Sequence, residues 1–385
     1  MPLMQKLHAN MKNVIYFLLS IIIISFSSCS GNSENEKQNT NINISIDSVM
    51  VDSKGEIIDT KYGIYSFGFD DDKNFMYKFN TNNRHGLEII DMNKMELVDF
   101  IPFEVEGPNG TTDRVRDVYF ISEDKIALVV YQSILIFDMK AELQHKYTIS
   151  EEEFKGDSIP KEFSMESSGL FVPEKMLSFN LINKGFGELR GFTKLNLIQN
   201  NRKEYFIDEL KKLADYHISL TQDGRMMMLR TNLYTDFQDN KFILSHDMEN
   251  ELYYYDLNSD SIIHKKYESK LSENKNKAFG KDVESREAIG KIMTARNKEI
   301  NFKNLVFDDS RIQFYRFSSF STTPDQEVDN WNIILTIFDE NLNQIHEIGN
   351  IELDEVPETY FVKDGKIYIY KNMEDEMGFV IISLN

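Results

Sequence analysis

Along most of the chain, apolar and polar residues nearly alternate in short runs, each closed by an Asp or another polar residue. A turn of Asn, Ser, Lys or Asp then follows. Apolar residues four, two and one positions before the stop define a template that occurs six times. The first three instances are Leu87, Ile89 and Ile90 before Asp91; Ile134, Ile136 and Phe137 before Asp138; and Leu195, Leu197 and Ile198 before Gln199. The others are Leu252, Tyr254 and Tyr255 before Asp256; Leu335, Ile337 and Phe338 before Asp339; and Phe379, Ile381 and Ile382 before Ser383. Near-alternation rich in β-branched and aromatic residues predicts strands, and an Asp at the stop can cap the turn by accepting backbone N–H bonds. Each instance therefore reads as a strand entering a hairpin.

Further strand-like runs flank the template. Leu97 to Phe103 and Leu143 to Ile149 follow it, while Phe75 to Phe79, Ile126 to Tyr131 and Lys366 to Tyr370 precede it. Four strands per unit, repeated along the chain, predict an all-β protein, a β-propeller of six blades of four strands. Three runs within about 218–256, His217 to Leu220, Met226 to Arg230 and Phe242 to His246, leave a seventh blade open. A β-sandwich or a pair of barrels is the competing arrangement for such spacing. The last unit ends after its third strand, and Ile42 to Val51 forms an unpartnered strand at the other end. Pairing the two closes the last blade and removes a free edge. Val283, Ile289, Ile292 and Met293 fall at helical spacing, so one helical insertion is expected near 268–300.

The first residues read differently. Lys6 and Lys12 precede an apolar run from Val14 to Phe26, long enough for a signal-peptide core and shorter than a spanning helix. It runs into Phe26-Ser27-Ser28-Cys29, and Cys29 is the chain's single cysteine. That sequence resembles a bacterial lipobox, which implies lipidation at Cys29. Residues 30–41 hold no apolar side chain and read as a flexible tether. The domain organisation expected is a signal peptide over 1–28, a tether over 29–41 and a propeller over 42–385. The localisation expected is that of an outer-membrane lipoprotein, periplasmic or surface-exposed, attached to the membrane by lipid and monomeric.

Charge narrows the partners. With 43 basic and 63 acidic residues the formal charge is −20, which leaves no basic surface of the kind phosphates require, so no nucleic-acid partner is expected. One stretch departs from this: Lys265 to Lys303 carries 11 basic and 6 acidic residues.

The exported start, the repeat and Glu106-Gly107-Pro108-Asn109-Gly110 together resemble the propeller lipoproteins of Bacteroidota known as domain of unknown function family 4221. The resemblance covers essentially the whole mature chain and extends to six-bladed propellers of the NHL and TolB-like type. It implies a fold and a compartment, and carries no catalytic residue with it.

The chain's chemistry-bearing residues give no catalytic, metal or cofactor motif. The histidines form no pair at metal-ligand spacing along one element, and Asp70-Asp71-Asp72 lacks the alternation and glycine of a calcium loop, reading instead as a solvated turn. The arginines are the sharper signal. Arg84, Arg190, Arg230 and Arg316 fall at or just after a second strand, and Arg114 and Arg116 lie between the first two units. In a propeller those positions emerge at one mouth, where rigid guanidinium forks suit an anionic group. Trp331 opens a strand after a long loop and is expected at a rim. The function expected is a lipid-anchored binding or scaffold module of the cell envelope, recognising an anionic glycan or a protein partner. The alternative is a glycan-active hydrolase or lyase working at the funnel.

Overall fold

The alternating runs become strands, and the Asp stops become turn caps. The Asp91 carboxylate accepts from the backbone N–H of Asn93 and Lys94, both at 2.9 Å, and Asp138, Asp256 and Asp339 act in the same way. A carboxylate is a better acceptor for these otherwise unpaired donors than water is, so each cap fixes where its strand ends. The structure, a computed structural model, describes residues 42–60, 63–82, 84–185, 187–222, 225–277, 282–323 and 330–385. The leader, Cys29 and the tether lie outside the described residues. The chain divides into two units, Met1–Asn43 and Ile44–Asn385, and every element below belongs to the second.

Strand β1 (Ile44–Met50) comes first; β2 (Phe67–Phe69), β3 (Phe75–Asn80), β4 (Gly86–Asp91) and β5 (Glu96–Pro102) then form one sheet in sequence order. β6 (Val115–Ser122), β7 (Lys125–Val130), β8 (Ser133–Asp138) and β9 (Leu143–Thr148) repeat it. In the next sheet two short strands, β10 (Phe163–Met165) and β11 (Leu170–Val172), share the first position against β12 (Leu177–Lys184), with β13 (Glu188–Asn196) and β14 (Asn201–Phe206) beyond. β15 (Ile218–Gln222) and β16 (Arg225–Leu229) stand apart from it. The fourth large sheet is β17 (Leu233–Gln238), β18 (Lys241–His246), β19 (Glu251–Asp256) and β20 (Ser261–Lys266). After β21 (Asp282–Val283) and helix α1 (Arg286–Asn297) come β22 (Asn301–Asp308), β23 (Gln313–Ser321), β24 (Trp331–Phe338) and β25 (Gln344–Ile348). The last sheet is β26 (Tyr360–Lys363), β27 (Lys366–Met373) and β28 (Glu376–Leu384), with β1 added antiparallel to β28.

The architecture is thus all-β and propeller-like, built mostly of four-stranded antiparallel sheets. Two expectations need correction. The runs His217 to Leu220 and Met226 to Arg230 do not belong to a four-stranded unit: β15 and β16 join β21 in a separate three-stranded sheet, and α1 packs on it through Ile289, Ile292 and Met293. In the third large sheet the template reading sits three residues late. The strand ends at Asn196, whose side-chain oxygen accepts from Ile198 and Gln199, because an amide caps a turn as a carboxylate does.

The core lies between sheets. Phe103 and Phe137 join the first two, and Phe171 and Leu195 pack with Ala127 and Val129 at the next boundary. Phe179 of β12 stacks on Phe242 of β18 at 4.4 Å. Phe317 meets Tyr360 at 4.9 Å, and Phe361 of the last sheet meets Phe69 of the first at 4.6 Å. These offset and edge contacts give each boundary more than its buried area alone. Where β2 meets β6 the backbones nearly touch. A side chain at Gly68 would place Cβ 2.2 Å from the carbonyl oxygen of Val118, so glycine is required there.

Candidate functional site

A cavity of about 420 Å³ opens where several elements end together. Asn232 precedes β17 and Asp247 follows β18; Asn301 and Lys303 stand on β22, Ser319 on β23, and Trp331 opens β24. The small sheet supplies Arg230, and α1 supplies Met293 and Arg296. Helix α1 forms here because Ser285 caps it, accepting from the Ala288 N–H at 3.1 Å, and because its apolar stripe has the small sheet to cover. Its last turn buries Arg296, whose guanidinium donates to the Tyr216 carbonyl at 2.9 Å and to the Met248 sulfur at 2.8 Å. The expected helical insertion is therefore a wall of this cavity.

Two carboxylates line the cavity, and each has an occupant. Asp247 accepts from the backbone and side-chain nitrogens of Asn232 at 3.1 and 2.9 Å. Burial raises its carboxyl above the usual range, opposed by the Arg296 cation. Glu358 pairs with Lys303 at 2.7 Å. Arg230 is exposed and forms no ion pair among the described residues. Its guanidinium lies against the backbone of Gly187, where a Cβ would come within 2.0 Å of the guanidinium carbon. Gly187 also has φ +93°, a conformation that L side chains rarely adopt.

Of the residues singled out from sequence, Arg230 and Trp331 share this cavity. The others lie elsewhere, most of them with partners of their own. Arg84 pairs with Glu56 at 2.7 Å and stacks over Phe100; Arg190 pairs with Glu188; Arg116 donates to the Ser168 hydroxyl. Arg114 is exposed just before β6. Arg316 corrects the expectation most clearly. It is 1% exposed, enclosed by the rings of Tyr267, Phe302 and Phe338, donates to Asn250, and is pulled by burial down to about 10. It points into the boundary between two sheets, because its position in mid-strand alternates inward with Phe314. The placement of Arg190 and Arg230 also shifts: Arg190 lies on a third strand, and Arg230 follows a strand of the small sheet.

Between this cavity and the opposite turns, the first strands of three sheets enclose a smaller space of about 220 Å³. It contains Tyr234 and Asp236 of β17, Asn304 and Val306 of β22, and Phe361 of β26. Burial raises the Asp236 carboxyl to about 6, against the opposing pull of Lys73. A carboxyl raised in the folded state stabilises the fold fully below its ordinary value near 3.8, and that stabilisation is lost as pH rises through about 6. Asp236→Asn is accordingly expected to melt higher than the parent at pH 7.5, with the difference vanishing by pH 4; thermal melts across that range measure it.

At the far turns Asp71, Asp72, Asp308, Asp309 and Asp364 gather from three sheets around Lys73 and Lys363. Sequence reading treated the first two as an isolated solvated turn. Their neighbours come from the same turn of distant sheets, a proximity visible only once sheet order is known.

Comparisons with known proteins bear on the fold. The family model described as "Domain of unknown function (DUF4221)" matches residues 39–349. A solved structure of a DUF4221 member from Bacteroides vulgatus superimposes with a TM-score of 0.62 at 14% identity, covering 89% of this chain and 98% of that one. A protein of unknown function from Bacteroides thetaiotaomicron matches at a TM-score of 0.43 and 8% identity, covering 89% and 77%. No curated protein matches the chain.

Proposed function

The chain belongs to the DUF4221 family, and on that premise we propose that it is a non-enzymatic binding module whose Trp331 cavity takes an anionic sugar. The observation that carries this reading is that Arg230, with no ion pair among the described residues, lines one concave site with Trp331. A uronate fits both, since its carboxylate takes two parallel N–H bonds and its ring lies on an apolar wall. Asn232, Asn297 and Asn301 add neutral donors and acceptors of the kind hydroxyls use.

In the same reading the large sheets are six blades of a closed ring. Support comes from each sheet packing on its successor, from the Phe361–Phe69 contact between last and first, and from β1 filling the fourth position of the last sheet. The ring is carried at the cell envelope by lipid on Cys29, supported by the short apolar leader ahead of the single cysteine. Replacing Cys29→Ala is expected to abolish incorporation of labelled palmitate and leave the protein unanchored. Label entering that variant contradicts the anchor.

A charge-assisted pair contributes about 1.5–3 kcal/mol, so Arg230→Ala is expected to weaken retention on uronate-bearing polysaccharides in affinity gels by roughly 10- to 100-fold. The melting temperature should be unchanged, because the Arg230 side chain is exposed. Both carboxylates of the cavity are already held, Asp247 by Asn232 and Glu358 by Lys303, so no product is expected from those polysaccharides. Product formation would favour the hydrolase or lyase reading.

A further inference from the structure

The Trp331 cavity does not end at Val356 and Glu358. The same two residues line a second cavity of about 850 Å³, roughly twice the volume of the first. Its walls are Ile46, Asp47 and Ser48 of β1, Lys371 of β27, Val380 of β28, the loop around Gly63 and Tyr65, and the connection leading into β26. The two cavities thus share a wall and lie side by side.

We infer that this second cavity holds neutral sugar units of the same glycan whose acidic unit sits at Arg230, an assignment that rests on the reading above. Three features point to it. Tyr65 is 62% exposed, an unusual position for so large a ring, and it lines the second cavity as Trp331 lines the first. The ring stands beside Gly63, which takes φ +92°; a Cβ there would meet it at an ordinary contact of 3.6 Å. The polar lining changes between the two cavities. The first sets Arg230, Arg296 and Lys303 against Asp247 and Glu358, whereas Asp47, Glu352, Asp354 and Glu355 join Glu358 in the second, where Lys371 is already taken by Asp354 at 2.6 Å. Carboxylates accept from sugar hydroxyls and repel a further anion. The pair of cavities therefore fits an acidic unit followed by uncharged ones, rather than a polymer that is anionic throughout.

The two cavities are neighbours, so occupying both is an intramolecular gain once the acidic unit is bound. Calorimetric titration of the mature chain with glucuronate alone, then with glucuronate-capped neutral hexose oligomers of two to four units, reads this directly. Affinity is expected to rise about tenfold or more between one and three units. In Tyr65→Ala the rise should vanish while binding of glucuronate alone stays unchanged, and Glu355→Gln should reduce the rise. An affinity independent of length, a rise untouched by Tyr65→Ala, or tighter binding of a lysine-rich peptide than of the oligomers would overturn the assignment. Oligomers that bind through Tyr65 while glucuronate alone does not would preserve the second cavity and overturn the first reading; no binding of any probe overturns both.

Discussion

A chain lacking residues 42–51 is expected to melt at least about 4 °C below the intact Ile44–Asn385 body and to aggregate on heating. Strand β1 pairs with β28 along seven consecutive positions, from Ile44 with Leu384 to Met50 with Gly378. Its own side chains are mostly exposed, so the loss does not come chiefly from their burial. It comes from the edge that β28 would present, a row of unpaired backbone groups on a strand that includes Phe379 and Ile382. Val51, just beyond, is 3% exposed in the cluster joining the last sheet to the first, and burial of such a side chain contributes about 1.5–3 kcal/mol. Adding the ladder, a loss of about 3 kcal/mol is a conservative figure, which at roughly 2 cal/mol/K per residue corresponds to about 4 °C in a body of this size. Calorimetry of the two proteins measures it. Equal melting temperatures would mean that β1 is an ornament on an already complete sheet.

Phe242→Ala is the side-chain change expected to cost most, about 3–5 kcal/mol. The ring is 0% exposed and stacks on Phe179 within 4° of parallel, with Phe192 at 4.7 Å on another side. Removing it opens a void that two rigid aromatic rings and two sheets cannot collapse into, so the cavity cost adds to the lost transfer energy. Chemical denaturation should show a lower midpoint with an unchanged slope. A loss under 1 kcal/mol would mean that this boundary is loosely packed. Ile198→Ala, at a 72% exposed position, serves as the control and should leave the midpoint in place.

The template strands were legible because one physical rule writes both halves of the signal. Alternation buries one face, and the Asp that ends the run also caps the turn, as Asp91 and Asp339 do. The rule slipped where the cap was an amide, at Asn196. It slipped again where β15 and β16 paired with β21, because partners some sixty residues apart, such as Ser219 and Asp282, leave no local mark. Side-chain direction was the harder part of the site. Arg316 and Arg230 look alike in sequence, yet strand alternation turns the first into a ring of aromatics, while the second follows its strand and stays exposed at the cavity. Register hides clusters in the same way. Pairing of β18, β19 and β20 brings His246 and His264 to the two oxygens of Glu251, at 3.2 and 3.0 Å, although no spacing along one element connects them. The second cavity was equally invisible, since its walls come from the first and last strands of the chain.

Trp331 is the only tryptophan, so its fluorescence reports on the candidate site without interference from elsewhere. Titrating the protein with glucuronate-capped oligomers should shift and saturate that emission as the indole is covered and loses water. The same titration of Arg230→Ala should require roughly 10- to 100-fold more ligand for the same change. Emission that stays constant through saturating ligand, or a response identical in Arg230→Ala, would contradict the assignment of this cavity as the binding site.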